Sequence, residues 1–105
     1  MLTGYVNPRE LENEIERAEQ KLGPEVVRVR HNVGPDTSGE PAIHFRIVLT
    51  DAASREETLA EVADRIDWIL LNELRPHENW GMRLYTRFRS KSEQAMREHL
   101  DLEWV

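Results

Sequence analysis

Ala42-Ile43-His44-Phe45-Arg46-Ile47-Val48-Leu49-Thr50 decides the fold. Ile43, Phe45, Ile47 and Leu49 fall on one side of an extended chain and His44 and Arg46 on the other, the period-two pattern of a strand with one buried face. Upstream, from Glu25, Val27, Val29 and Val33 alternate with Arg28, Arg30 and Asn32 in the same way. Between the two runs, Gly34-Pro35-Asp36-Thr37-Ser38-Gly39-Glu40-Pro41 is a cluster of turn-forming residues. The segment therefore predicts a hairpin. Its odd-numbered core residues must pair across the strands, which sets Arg30 opposite His44 or Arg46 and puts His31 and His44 on opposite faces.

Downstream of the hairpin, Ser54-Arg55-Glu56-Glu57 has the form of a capping box. Leu59, Val62, Ala63, Ile66, Ile69, Leu70 and Leu74 then make a broad apolar stripe that ends before Pro76, predicting a helix over 55 to 75. Trp68 and Leu71 lie off that stripe and require a second cover, from a C-terminal segment or from another subunit, so a homodimer is expected. Residues 82 to 90 alternate again, with Met82, Leu84, Thr86 and Phe88 facing one way and Arg83, Tyr85, Arg87 and Arg89 the other. Ser90-Lys91-Ser92-Glu93 caps a final helix to about Glu103, with Ala95, Met96, Leu100 and Leu102 on one side.

Upstream, Asn7-Pro8-Arg9-Glu10 supplies a helix cap, a proline at the first helical position and an acid placed to reach back. Leu11, Ile15, Ala18 and Leu22 follow at helical spacing before Gly23-Pro24, predicting a helix over 8 to 22. Counting the short apolar piece at 2 to 6 as a strand gives strand, helix, strand, strand, helix, strand. That is the order of a ferredoxin-like α+β sandwich, two layers with helices on one face of an antiparallel sheet, followed here by a C-terminal helix. Without the first strand, a three-stranded sheet remains whose exposed edge favours pairing between subunits.

The chain has 105 residues and a mass of 12.3 kDa. This length fits one domain spanning 1 to 105. Hydrophobic residues at 39% carry strong periodicity, so the chain is expected to fold around a small core despite 32% charged residues. The absence of cysteine excludes disulfides, thiol nucleophiles, iron-sulfur clusters and cysteine zinc sites, and it fits a cytoplasmic location. No segment approaches the roughly 20 apolar residues of a membrane span, and the N-terminus has no signal-like pattern.

Turning the core inward leaves Arg28, Arg30, His44 and Arg46 of the hairpin on the other sheet face, together with Arg83, Tyr85, Arg87 and Arg89. Six of the fourteen basic residues fall there; removing their charges from the net of −6 leaves −12 for the remainder. Such segregation asks for an anionic partner, because guanidinium forks suit carboxylates and phosphates. Three occupants satisfy the charges. The first is the protein itself, through Glu93, Glu98, Asp101 and Glu103 of the last helix or through a second subunit. The second is an acidic protein partner, and the third is RNA or single-stranded DNA on Tyr85 and the arginines. RNA-recognition domains resemble this chain in strand and helix order, but Ala42-Ile43-His44-Phe45-Arg46-Ile47 departs from their glycine-aromatic pattern and points Phe45 inward.

His31, His44, His77 and His99 show no local metal-binding spacing, so neither metal nor cofactor is expected. The helix-hairpin-helix-strand order is also similar to the cytosolic domains of cation-efflux transporters, without their metal-binding histidines. Asp36-Thr37-Ser38-Gly39 resembles the Asp-Thr-Gly of dimeric aspartic proteases, with Ser38 interrupting the run; a hairpin loop accounts for it better. Small ferredoxin-like monooxygenases, some of which use an Asn, a Trp and a His, are similar in order and size, and for them Asn7, Trp68 and His77 match by residue type. The loop expected over Arg75-Pro76-His77-Glu78-Asn79-Trp80-Gly81 holds an aromatic, a histidine and an acid, with Trp80 expected to plug the core. The balance favours a non-enzymatic interaction or regulatory module that engages an acidic partner through its arginine-rich sheet face.

Overall fold

The computed structural model describes residues 7–99; the strand expected over 2 to 6 and the end of the last helix lie outside them. The element order is α1 (Pro8–Glu19), β1 (Val26–Pro35), β2 (Pro41–Leu49), α2 (Glu56–Leu74), α3 (Pro76–Trp80), β3 (Arg83–Ser90) and α4 (Lys91–His99). Among the described residues the sheet is three-stranded and mixed, in the order β1-β2-β3. β1 and β2 form the antiparallel hairpin, whereas β2 and β3 are parallel and directly bonded, from Ala42 beside Arg83 to Leu49 beside Ser90.

That parallel pairing corrects the expectation of an antiparallel, ferredoxin-like sheet, which sets another strand between these two. The physical reason is the crossover. The 19-residue α2 and the turn of α3 return the chain to the end where β2 began, so β3 can pair with it as a parallel neighbour.

α1 begins as its residues dictate: the Asn7 side-chain oxygen accepts from the backbone N–H of Arg9 at 3.1 Å and of Glu10 at 3.2 Å. It stops at Glu19 rather than at 22, because Lys21 and Leu22 bond back three residues, to Ala18 and Glu19, in a tightened last turn that still buries Leu22. Leu11, Ile15 and Ala18 pack with Ile66, Leu70 and Leu74 of α2 against Ile43, Phe45, Ile47 and Leu49. This is the core. Leu84 and Phe88 of β3 close its far side, and Trp80 packs against it as expected.

Four expectations are revised. Val27 does not join the core; a bulge between Val26 and Arg28 places Val26 opposite Leu49 and leaves Val27 46% exposed. Val33 pairs with Ile43 yet is also exposed. Ser54 is not a helix cap, since its hydroxyl donates to the Thr50 carbonyl, and α2 starts instead from Arg55 in extended conformation. Residues 76–80 are one helical turn rather than a loop, entered through Arg75 at a left-handed φ of 45° and left through Gly81. Arg75 thus ends α2 and launches α3, a conformation usually left to glycine.

Candidate functional site

All eight residues expected on the solvent face of the sheet are on that face. The register sorts them into rows that cross the strands: Arg28, Val48 and Arg89; then Arg30, Arg46 and Arg87; then Asn32, His44 and Tyr85; and last Gly34, Ala42 and Arg83. Arg30 stands opposite Arg46, one of the two pairings the hairpin allowed. Adjacent strands are about 4.8 Å apart, so the second row holds three guanidinium stems side by side.

The rows differ in their cover. α4 lies over the first. Glu98 meets Arg28 at 2.7 Å, Arg89 donates to the Gln94 side chain at 3.1 Å, and Glu93 stands 3.9 Å from Arg89. Arg89 is only 10% exposed as a side chain, and burial, followed by the charges of Arg97 and Arg87, pulls its pKa down. Glu98 is held below the usual carboxylate range, first by the Gln94 amide and then by Arg28. The helix is anchored at its start, where Ser90 Oγ accepts from the Glu93 N–H and Asp51 accepts from the backbone and hydroxyl of Ser92. Its contact side is not the apolar stripe: Gln94 is the buried residue, and Met96 is 60% exposed. Self-coverage by Glu93 and Glu98 is therefore real and, among the described residues, lies at one end of the face. Asp101 and Glu103 lie outside the described residues.

At the opposite end the hairpin tip folds over β3. Asp36 Oδ1 accepts from the backbone N–H groups of Ser38 and Glu40 and from the Ser38 hydroxyl, while its Oδ2 accepts from the Tyr85 hydroxyl at 2.8 Å and sits 3.9 Å from Arg83. The Ser38 and Tyr85 hydroxyls, with those amides, hold the Asp36 carboxyl far below its ordinary range. Tyr85 stacks on His44 with centroids 5.5 Å apart and planes within 16°. Between the two covers runs a groove of about 460 Å³, lined by Asn32, His44, Arg46, Tyr85 and Arg87 among others. Its lining sets the guanidinium groups of Arg46 and Arg87 beside two rings and an amide.

The remaining candidates do not converge. Asn7 is occupied as a helix cap, Trp68 is 65% exposed, and His77 lines a groove of about 530 Å³ that neither of them lines. Trp68 and Leu71 remain uncovered among the described residues, because α4 lies across the sheet from α2. On the core side, His31 is clamped between Glu19 at 3.1 Å and Glu12 at 2.9 Å, with Phe45 beneath its ring. These bonds raise its pKa to about 9, Glu19 contributing most, against the opposing effect of burial.

Sequence reasoning passed over Asp36, Gln94 and the cover over Val48. One signal was present. Ile47-Val48-Leu49 breaks the alternation, and a continuous apolar run marks a strand end covered on both faces. Among the described residues no helix is long and apolar enough to cross a membrane. Compared with known proteins, the chain matches no family model, no curated protein and no solved structure.

Proposed function

We propose that the protein is a non-enzymatic interaction module that docks acidic segments of a partner protein on the open part of its arginine face. The transverse row Arg30, Arg46 and Arg87 carries this reading. Like charges on directly opposed strand positions destabilise a sheet, and carboxylates laid across them relieve that repulsion and gain forked hydrogen bonds. The two covers leave a channel across the strands suited to an extended acidic chain.

A protein partner fits better than a nucleic acid because His44 and Tyr85 stack on each other, so each spends on its neighbour a ring face that a base would otherwise use. The test is fluorescence anisotropy with a labelled oligoglutamate, in about 50 and about 300 mM salt, with oligouridylate as competitor. Binding is expected to weaken with salt and to fall about tenfold or more in Arg30→Glu/Arg87→Glu, while the circular dichroism spectrum is unchanged. Equal binding by the double variant, or preferential displacement by oligouridylate, overturns the reading.

A further inference from the structure

β3 is an edge. Among the described residues it pairs with β2 on one side only, and an edge strand presents a row of unpaired N–H and C=O groups. The two edges of this sheet are not equally protected. β1 is bulged near its start and ends at Pro35, two devices that discourage pairing, whereas β3 runs through Arg83–Ser90 without bulge, glycine or proline.

The surroundings of the β3 edge are two-sided in chemistry. On the core side α2 passes beneath it, where Asp67 accepts from the Thr86 hydroxyl at 2.7 Å. One turn further on, Leu71 shares the groove of about 530 Å³ with Met82 and Leu84. Leu71, 49% exposed, thus offers apolar surface beside a strand edge that is unpaired among the described residues. On the other side of the same edge stand Arg83, Tyr85 and Arg87.

We infer that this edge takes an extended segment of the partner as a fourth strand, one in which acidic and apolar residues alternate. Acids at i and i+4 of the added strand face Arg83 and Arg87, and the apolar residues between them fall on Leu84 and Leu71. The inference rests on the acidic-partner reading and adds to it the backbone conformation and the residue pattern of the partner. A second copy of the chain fits the same edge poorly. With the helices of both copies on one side of the sheet, antiparallel pairing centred on Thr86 opposes Arg83 to Arg89; centred on Tyr85, it opposes Arg83 to Arg87; centred on Arg87, it opposes Arg87 to itself. Each of these three registers sets arginine against arginine, and glutamates or aspartates at those positions remove the conflict.

The experiment uses three probes against the isotope-labelled full chain: an acetylated seven-residue peptide alternating glutamate and valine, the same peptide N-methylated at every second residue, and oligoglutamate. The alternating peptide is expected to slow amide exchange within 83–90 and to lose about tenfold or more in affinity on N-methylation, since methylation removes the donors a strand needs. Leu71→Ser, at an exposed position that leaves the core intact, is expected to weaken the alternating peptide but not oligoglutamate. If the N-methylated peptide binds as well as the parent, strand addition is wrong while the acidic-partner reading survives; if neither peptide nor oligoglutamate binds, both fail. A salt-resistant dimer whose β3 amides are already protected in the free protein assigns the edge to a second copy and overturns the inference.

Discussion

The two faces of the sheet keep their cations in opposite company. On the core side, His31 lies between two carboxylates of α1 with an aromatic ring beneath it. On the other side, Arg30, Arg46 and Arg87 stand in one row, each beside another arginine. The first arrangement returns the energy of placing a charge there to the fold. The second sets like charges on directly opposed strand positions, the arrangement that the proposed reading assigns to a partner. α4 shows the intermediate case, in which the chain's own Glu98 and Gln94 have already met Arg28 and Arg89.

The largest effect expected from this contrast is a dependence of stability on pH through His31. Its pKa is raised from 6.5 to about 9 by Glu19 and Glu12, so the folded state binds its proton more tightly than the unfolded chain does. The contribution is fully present below pH 6.5 and is lost as pH rises through 9. We expect the unfolding free energy from urea titrations to fall across that window by an amount on the order of 2 kcal/mol, and His31→Gln to flatten the profile. A wild-type profile as flat as that of the variant removes the clamp from the account of stability.

The covered end of the face offers the next test. Gln94 accepts from Arg89 and donates to Glu98, so Gln94→Ala leaves a largely buried guanidinium one acceptor short. A loss of about 1 kcal/mol is expected in chemical denaturation, with faster amide exchange confined to α4. Faster exchange through all three strands instead makes α4 part of the core rather than a cover laid upon it.

Much of this architecture was legible in the residues. Alternation in 42–50 and 82–90 put His44, Arg46, Arg83, Tyr85, Arg87 and Arg89 on one face, as the register has them, because side-chain direction in a strand is fixed by parity alone. Parity says nothing about which strands are neighbours, so the parallel pairing of β2 with β3 was not visible. Apolar periodicity found α1 and α2, which bury leucine and isoleucine, but misjudged α4, which is seated by Gln94 and an ion pair and turns Met96 outward. The bulge beside Val27 left no mark, since a valine suits either side of the shift. Of the candidate site, the arginines and their cover by Glu98 were legible, whereas the cover by Asp36 was not, because it joins a hairpin-tip residue to Tyr85, distant in sequence.

Arg46 gives the smallest change in stability and the sharpest division between the two faces. It occupies the middle of the row on the central strand, half-buried between Arg30 and Arg87. If the row serves the fold, Arg46→Leu removes its interactions and lowers stability. If it serves a partner, the substitution relieves two like-charge neighbours on adjacent strands, so stability is unchanged or rises by up to about 1 kcal/mol. The same variant must then lose affinity for oligoglutamate, because the middle fork of the receptor is gone. Stability and binding moving in opposite directions is the signature of a residue kept for recognition. Were both to fall together by denaturation and anisotropy, Arg46 would belong with His31 among the charges that hold the fold, and the partner site would narrow to Arg30 and Arg87 at the margins of the face.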